Sequence, residues 1–337
     1  SFHGTHVAGT IGAVTNNGVG VAGVNWVSPL MTLRVLGLGG GANYDIAQAI
    51  LYAAGLPNDS GQVPSKKANV INMSLGGSSR SRSMGDAVAA AQAENVVVVA
   101  AAGNDNTTDL HFPAAYDGVI SVGATDLSGG KTFYSNFGPR IDIVAPGGNT
   151  RVDANGDGFA DGVLSTLWDG DLDEPIYKFY QGTSMASPHV AGVVSLMLSV
   201  NPDLTPFRVR EILQQTAIDL GELGRDDDFG FGLIDPVAAL QAAGAQIPEI
   251  PKLEVSTNTM NFGSSIAQAI ITLFNSGGGT LQVNAPTVEM DQASGWLSVG
   301  LSPGRLIVTV DRTGFTSGSY TGRIRLTSNR GTVTIKV

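Results

Sequence analysis

One serine stands where a run of small residues leads into an apolar helix. The segment Gly182–Gly192 reads GTSMASPHVAG, and Val193 to Val200 continue it with the composition of a buried helix. This pattern predicts that Ser184 lies at the mouth of the helix, where its backbone N–H points outward and favours a developing negative charge. Such a serine could act as a nucleophile and supply half of an oxyanion hole.

A nucleophilic serine needs a general base, because a hydroxyl is a weak nucleophile at neutral pH. The chain has 4 histidines, at positions 3, 6, 111 and 189. His189 follows Ser184 on the same predicted helix but is rotated well away from it, so it is a poor candidate. His3 and His6 lie in another run of small and apolar residues, HGTHVAGT. Their spacing lacks the glutamate and the i,i+4 geometry of the helical zinc motif, so zinc is disfavoured there.

A third segment is rich in oxygen ligands. In DANGDGFADG, which starts at Asp153, the residues Asn155, Asp157 and Asp161 follow at positions 3, 5 and 9 of an EF-hand-like loop, with glycine at position 6. Phe159 offers its carbonyl at position 7. Leucine replaces the bidentate glutamate at position 12, so a shorter calcium loop is predicted, and a surface turn without metal is the alternative.

These residues need a scaffold, and the pattern around them predicts an α/β domain over residues 1–246. Near-continuous apolar runs predict strands buried on both faces of a mostly parallel sheet, with helices on both faces. The predicted strands are Leu30–Leu36, Ala68–Ser74, Asn95–Ala102 and Val119–Gly123. The predicted helices are Tyr44–Ala54, Ser83–Glu94 and Pro206–Ile218, the last capped from Asp203-Leu204-Thr205.

The pattern of apolar, polar and turn residues changes after residue 246. Residues 247–251 form a proline-punctuated linker, and 252–337 predict a small all-β sandwich from short period-2 segments separated by Gly, Asn and Ser turns. The strand-like segments are Ala269–Phe274, Leu306–Asp311, Tyr320–Thr327 and Thr332–Val337. Trp296 is expected to anchor the core rather than to form a sugar-stacking platform.

The bulk composition excludes several partners. A net charge of -10 argues against nucleic acid and anionic membranes, and no stretch is long and apolar enough to be expected to span a bilayer. With Cys 0, stability must come from core packing or bound ions.

Four segments, in this order, resemble the motifs of the subtilisin-like serine proteases. HGTHVAGT from His3 resembles the histidine motif, VINMSLGG from Val70 the substrate-binding strand, AAGN ending at Asn104 the oxyanion motif, and GTSMASPH around Ser184 the serine motif. The resemblance covers residues 1 to about 240. It implies a secreted, extracellular serine endopeptidase that works through an acyl-enzyme. His3 would be the general base, Ser184 the nucleophile, and the Asn104 amide with the Ser184 N–H the oxyanion hole.

The chain departs from the family in one catalytic residue. The family's aspartate precedes the histidine in the chain, yet only Ser1 and Phe2 precede His3 here. The resemblance therefore implies an N-terminal fragment, upstream of residue 1, that supplies the aspartate and the first strand. We expect a sheet with room for another strand and a His3 ring without a carboxylate. A catalytically inactive subtilisin-fold binding or scaffold protein is the alternative, while an acyl hydrolase is disfavoured because the Gly-x-Ser-x-Gly elbow is absent around Ser184.

The resemblance also implies how polypeptide substrates bind. An extended substrate would pair with the backbone of Leu36–Gly41 and Ser74–Gly76. The side chain before the scissile bond would enter a pocket whose floor lies near His111. His111 would narrow or polarise that pocket, or be an ordinary surface histidine. The expected substrate-binding residues are Leu36, Gly39, Gly41, Ser74, Leu75, Gly76, Ala101, Ala102, Gly103 and His111. Without the resemblance, the glycine run at 39–41 would be interpreted as a flexible loop.

Two further expectations rest on resemblance alone. The segment from Thr15 to Val21 resembles the family's high-affinity calcium loop, in which Asn17 would give its side chain and Thr15, Val19 and Val21 their carbonyls. Residues 252–337 resemble bacterial immunoglobulin-like accessory domains. Such a module could bind an insoluble substrate or a cell surface, or act as a spacer.

Overall fold

The computed structural model describes residues 2–246, 251–329 and 331–337. The chain forms two compact units, Ser1–Ala245 and Gln246–Val337. Most of the predicted linker, residues 247–250, lies outside the described residues. Each unit is described by itself below.

The first unit is built on a parallel sheet of four strands. In chain order, which is also the order in the sheet, these are β1 (Val70–Met73), β2 (Val97–Ala101), β3 (Ile120–Thr125) and β4 (Ile143–Pro146). In β2, Val97 and Val99 enter one hydrophobic cluster, while Val98 and Ala100 enter another. Because successive side chains point to opposite faces, a strand covered on both sides reads as a continuous apolar run.

Helices cover both faces of this sheet, as predicted. They are α1 (His3–Gly12), α2 (Asn43–Ala53), α3 (Arg82–Ala93), α4 (Thr183–Val200), α5 (Pro206–Thr216) and α6 (Pro236–Ala242). Buried side chains of α2 and α3 pack on one face, and those of α4, α5 and α6 pack on the other. The predicted cap of α5 is confirmed, since the Thr205 side chain accepts a hydrogen bond from the Arg208 N–H.

The strand prediction for Leu30–Leu36 is wrong. No strand forms there in the described structure, and Leu30, Met31, Leu33 and Leu36 are each about two-fifths exposed. A strand needs a neighbour that satisfies its backbone N–H and C=O groups, and no described strand pairs with this segment. β1 is likewise an edge strand, and its residues Val70 to Asn72 are only partly buried. The apolar composition was interpreted correctly, but the pairing that would make a strand is missing.

A hairpin that the sequence did not predict precedes the serine helix. Its strands β5 (Val163–Asp169) and β6 (Glu174–Tyr180) are antiparallel and pack against α1. The hydroxyls of Ser165 and Thr166 donate to the backbone carbonyls of His6 and Thr5, at 2.8 and 3.0 Å. Gly9 permits this approach, because a β-carbon there would lie 2.1 Å from the Thr166 hydroxyl.

Helix α4 also corrects the expectation about membrane spans. By length and composition, Thr183–Val200 is the one described helix that could cross a membrane. However, 61% of that stretch is buried inside the structure, and its apolar side chains belong to the core on the sheet. Its apolar character is therefore that of a core helix.

The second unit is an antiparallel β structure of two sheets, consistent with the predicted sandwich. Its strands are β7 (Leu253–Val255), β8 (Gln268–Asn275), β9 (Thr287–Met290), β10 (Leu297–Ser302), β11 (Arg305–Val310), β12 (Gly322–Ser328) and β13 (Gly331–Lys336). One sheet has the order β10-β11-β8-β7 and the other β13-β12-β9. Trp296 is only 5% exposed and lies in the hydrophobic core of this unit, as expected.

Candidate active site

Ser184 lies in the first turn of α4 and is half-buried. Its Oγ lies 3.5 Å from the backbone carbonyl oxygen of Ser74. Its backbone N–H has no acceptor among the described residues, as expected for the first turn of a helix. The helix therefore presents a free donor, reinforced by its dipole, directly beside the serine hydroxyl.

Asn104 is held so that its amide N–H₂ remains available. Its Oδ1 accepts hydrogen bonds from both the backbone N–H and the hydroxyl of Thr183, at 2.8 and 3.0 Å. The Nδ2 group has no acceptor in the described part of the chain. A β-carbon on Gly182 would lie 3.6 and 3.7 Å from Asn104 Oδ1 and Nδ2 and 3.7 Å from the Ser184 nitrogen, so the Asn104 amide and the Ser184 N–H lie close together. Two neighbouring N–H donors without acceptors are the groups that an oxyanion hole of this type requires.

The end of β1 is tied to the same helix by three polar side chains. The Ser74 hydroxyl donates to the Ser184 carbonyl at 2.8 Å, and Asn72 Nδ2 donates to the Ser74 hydroxyl at 3.1 Å. Ser187 then donates to Asn72 Oδ1 at 2.6 Å. Sequence reasoning missed Asn72 and Ser187. Their signal was a polar residue inside an apolar strand and another inside an apolar helix.

His3 is the first residue of α1, and α1 packs against α4. The ring is half-buried and forms no hydrogen bond or ion pair with any residue that the structure describes, Ser184 included. Burial lowers the pKa of His3 below its ordinary value of 6.5. The ring is therefore neutral at pH 7, and neither nitrogen has a described partner.

The other two histidines near these helices have structural contacts. His6 is fully buried, stacks on Tyr180 at 4.6 Å, and its Nε2 lies 3.0 Å from the carbonyl oxygens of both Val163 and Lys178. His189 Nδ1 lies 2.8 Å from the carbonyl oxygen of Met185, on its own helix. Burial lowers the pKa of both rings. Neither is free to serve Ser184, as the sequence indicated for His189.

The imidazole of His111 lies between the two strand ends that follow β1 and β2. A β-carbon on Gly76 would lie 2.4 Å from His111 Nε2, and one on Gly103 would lie 3.0 Å from Nδ1. The segments are held there by paired backbone hydrogen bonds between Gly77 and Phe112, at 2.9 and 2.8 Å. Burial lowers the pKa of His111, while Asp105 acts in the opposite direction.

The remaining predicted pocket residues are chain neighbours of Gly76 and Gly103, the two glycines that the His111 ring contacts; the space between these glycines is called the slot. Ser74, Leu75 and Gly76 continue β1, while Ala101 ends β2 and leads through Ala102 to Gly103. Gly103 has φ of +106°, and a β-carbon there would lie 2.3 Å from the Asn136 amide, so only glycine fits without strain. The slot therefore has walls of backbone and small side chains, and His111 fills the space between them.

The turn predicted to pair with substrate forms no described hydrogen bond with the residues around Ser184. Gly37 and Gly40 exchange backbone hydrogen bonds of 2.8 and 3.3 Å, which close the turn on itself. Leu36 and Gly39 remain open to solvent, and Gly41 lies against the Val35 carbonyl. No described hydrogen bond joins Leu36–Gly41 to Ser74–Gly76.

In the acidic loop, the carboxylates accept hydrogen bonds from backbone N–H groups of the same loop. Asp153 accepts from the Gly156 N–H at 2.8 Å, Asp157 from the Phe159 N–H at 2.8 Å, and Asp161 from the Ala154 N–H at 2.7 Å. Asn155 donates to Asp157 at 3.0 Å. Within the ranges that the structure describes, no three His, Cys, Asp or Glu side chains are grouped so that they could hold a metal ion. As described, the loop does not fit a calcium ion without rearranging these carboxylates.

The second calcium segment has a similar local arrangement. Asn17 Oδ1 accepts from the Val19 N–H at 3.1 Å, and the Thr15 hydroxyl donates to the Ala13 carbonyl at 2.9 Å. Gly20 lies against Tyr177, because a β-carbon there would lie 2.0 Å from the Tyr177 ring. Val21 has an apolar side chain, so only its backbone carbonyl could bind an ion. Calcium binding at both segments stays a prediction.

The comparisons with known proteins agree with one another. The subtilase family matches residues 1–232. An extracellular protease of Xanthomonas campestris pv. campestris is 44% identical over 248 residues, which cover 72% of this chain and 40% of that protein. Subtilisin BL of Lederbergia lenta is 37% identical over 238 residues, which cover 70% of this chain and 77% of that protein.

A solved structure supports the same relationship. A protease from Pseudoalteromonas arctica matches with a TM-score of 0.67 and 43% identity, over 72% of this chain and 71% of that chain. Among curated relatives, the chain spans 40% of the Xanthomonas protein and 39% of an extracellular basic protease of Dichelobacter nodosus.

Proposed function

This chain belongs to the subtilase family, and from that premise we propose that it carries the nucleophile, base and oxyanion donors of a serine endopeptidase. The observation that carries the proposal is the pair of neighbouring N–H donors without acceptors, Asn104 Nδ2 and the backbone N–H of Ser184. An inactive scaffold has no need to keep two adjacent donors without acceptors.

The chemistry follows from these groups. His3 takes the proton of the Ser184 hydroxyl as Oγ attacks the peptide carbonyl carbon, and the two donors stabilise the oxyanion. His3 then gives this proton to the leaving amine as the C–N bond breaks, which leaves Ser184 acylated. In the second half His3 takes a proton from water as the water oxygen attacks the ester carbonyl. The C–Oγ bond then breaks, His3 returns the proton to Oγ, and the product acid leaves.

We further propose that a segment outside residues 1–337 supplies the aspartate that orients His3. Three features support this: His3 has no described partner, β1 is an open edge, and the extended apolar segment Leu30–Leu36 lacks a strand partner. One added strand would pair with exposed backbone and could place a carboxylate near His3. In a subtilisin, loss of the aspartate alone costs about 3 × 10⁴ in turnover, so its supply decides whether the site is efficient.

Labelling with a fluorophosphonate tests the proposal and separates it from the scaffold alternative. Wild-type chain should be labelled at Ser184, and Ser184→Ala should abolish labelling. Asn104→Ala should slow it by about 10²–10³, the cost of the same change in a subtilisin. Ser187→Ala, a serine on the same helix that faces Asn72, is the matched control and should still be labelled at Ser184. If the protein does not react even when the segment that supplies the aspartate is present, the chain is a scaffold.

Polypeptides are the substrates that this arrangement suits, because every peptide offers the same backbone groups. We propose that an extended substrate lies between Leu36–Gly41 and Ser74–Gly76, with the side chain before the scissile bond directed at the slot between Gly76 and Gly103. His111 would set the size and polarity of that slot. The supporting observation is the contact of its ring with both glycines.

We propose that the complete protein is secreted. The relatives from Xanthomonas and Dichelobacter are named extracellular proteases. Calcium would then be available as a stabilising ion at Asp153–Asp161 or Thr15–Val21, provided that the acidic loop rearranges to bring its carboxylates together.

The second unit would serve as an accessory module that binds a surface or an insoluble substrate. Its described residues form a packed sandwich whose large aromatic residue, Trp296, is buried. Deleting it should leave hydrolysis of a soluble peptide unchanged and lower activity on a fibrous protein. If the deletion changes neither the hydrolysis of the soluble peptide nor that of the fibrous protein, the module is a spacer.

A further inference from the structure

The hydroxyl of Tyr134 bridges two backbone segments beside the nucleophile. It donates to the carbonyl oxygen of Gly148 at 2.7 Å and accepts from the N–H of Gly182 at 2.9 Å. The same Gly182 N–H also lies 3.0 Å from the carbonyl oxygen of Gly147. Tyr134 is only 6% exposed, so these bonds are shielded from water.

Gly182 is the N-cap of α4, and its position sets the first turn of that helix. Its carbonyl oxygen accepts from the N–H groups of Met185 and Ala186, at 2.9 and 3.3 Å. Its φ of +144° is a conformation that other residues avoid, so the backbone here is held by its surroundings. A shift of Gly182 would therefore turn the Ser184 N–H, which lies on the same turn.

The neighbouring glycine leaves space for the tyrosine hydroxyl. A β-carbon on Gly147 would lie 2.9 Å from the Tyr134 hydroxyl oxygen and 3.0 Å from the Gly182 carbonyl oxygen. Burial raises the pKa of Tyr134 to about 12. The hydroxyl therefore keeps its proton at neutral and mildly alkaline pH, and it can donate to Gly148 while it accepts from Gly182.

We propose that Tyr134 is a positioning residue for the oxyanion hole, which fixes Gly182 and through it the direction of the Ser184 N–H. The inference rests on the proposed function. Hydrogen bonds hold both residues before the nucleophile. Asn104 bonds to Thr183, and the N–H of Gly182 is shared between the Tyr134 hydroxyl and the Gly147 carbonyl. Tyr134 itself touches no reacting atom. Its effect on the reaction would therefore appear in the transition state, where the oxyanion develops.

The test is Tyr134→Phe in the complete natural protein, which removes one oxygen and keeps the packed ring. Turnover per titrated active site should fall about tenfold while KM stays within twofold, because an oxyanion donor acts mainly in the transition state. Affinity for a peptide boronate, which mimics the tetrahedral adduct, should fall by a similar factor. Titration with an irreversible inhibitor counts folded sites only, so partial unfolding does not enter the turnover number.

Tyr116→Phe is the matched control. Tyr116 is 7% exposed, and its hydroxyl also bonds to the backbone of a helix N-cap, accepting from the Ser81 N–H at 2.9 Å and donating to the Ser81 carbonyl at 2.6 Å. That helix is α3 and carries no proposed catalytic residue. The control should lose similar stability and keep its turnover within twofold.

Two results would overturn the inference: an unchanged turnover in Tyr134→Phe, or an equal loss in Tyr116→Phe. Failure of the proposed function is a different observation, namely wild-type protein that neither reacts with fluorophosphonate nor cleaves a peptide. That result would remove both proposals.

Discussion

At the scale of single residues, the site depends on which donors are engaged and which are free. Asn104 turns its oxygen to Thr183 and so keeps its nitrogen available, while Ser184 has a free N–H because it lies in the first turn of α4. The roles proposed for these two residues followed from their motifs. The orientation of the Asn104 amide did not, because it depends on Thr183, which is distant in sequence.

Replacing His111 should change which side chains the slot accepts. His111→Gly removes the ring that fills the space between Gly76 and Gly103, so a large aromatic side chain could enter and bury its surface. We expect kcat/KM for peptides with Phe before the scissile bond to rise roughly 10- to 100-fold relative to Ala peptides.

His111→Gln separates size from chemistry, because it keeps much of the bulk and loses the imidazole. It should not admit Phe. Equal Phe-to-Ala preference in wild type and His111→Gly would mean that His111 is an ordinary surface histidine.

The pH dependence of Ser184 labelling should report the His3 ring. Only neutral His3 can accept the serine proton, and burial lowers its pKa, so for this chain the labelling rate should fall with decreasing pH at a midpoint below 6.5. A carboxylate near the ring favours the imidazolium and raises this pKa.

Adding a peptide that carries the missing aspartate should therefore move the midpoint upward and raise the plateau rate. A peptide with Asn in place of Asp is the control. If both peptides leave the profile unchanged, the site is not completed in this way.

At the scale of elements, a buried carboxylate joins the sheet to α5. Asp142 is 3% exposed and accepts from Arg210 Nε at 2.9 Å, from Gln214 at 2.8 Å and from the Ser121 N–H at 2.9 Å. It thus joins the start of β3, the approach to β4 and one face of α5. The sequence pattern predicted β3 and α5 but neither β4 nor this contact, because the contacting residues are far apart in the chain.

Asp142→Asn should lower the free energy of unfolding by about 1–3 kcal/mol, because it removes a buried carboxylate that accepts hydrogen bonds from a partly exposed Arg210. Urea denaturation at pH 7 measures this. Asp117→Asn is the control, since the Asp117–Arg140 pair is exposed and should contribute less than about 1 kcal/mol. Equal effects in the two variants would show that the buried pair is no more stabilising than a surface pair.

At the scale of the whole molecule, each unit has its own hydrophobic core. Clusters on both faces of the parallel sheet stabilise the first unit, and a separate cluster stabilises the second. We therefore expect two thermal transitions in calorimetry. Deleting 246–337 should remove one transition and shift the other little.

Chelation tests the calcium prediction in the same experiment. If calcium binds the first unit and its free concentration is about 100 times the dissociation constant, binding adds about 2.7 kcal/mol to the free energy of unfolding. A chelator should then lower the melting temperature of that unit by roughly 5–10 °C. The second transition should not move. Asp153→Asn should abolish the response if the acidic loop binds the ion, and unchanged melting in chelator would contradict calcium binding altogether.

Several properties of this protein were determined by the sequence alone. Apolar runs and helical periodicity predicted β1 to β3, α2 to α5 and the change in residue pattern after residue 246, because these are local consequences of backbone geometry. They did not predict β4, α1 or α6. The motifs identified Ser184, His3 and Asn104, because their chemistry depends on residue type.

Only the tertiary structure decided the rest. Leu30–Leu36 has the composition of a strand but forms none, because a strand must pair with a neighbour and no described strand pairs with this segment. Asp153 to Asp161 has ligand spacing, but its carboxylates bond to their own backbone. Likewise, Ser184 could be recognised as a nucleophile from the eleven residues around it, whereas the direction of its N–H depends on Tyr134, Asn104 and Gly147, which only folding brings to that turn.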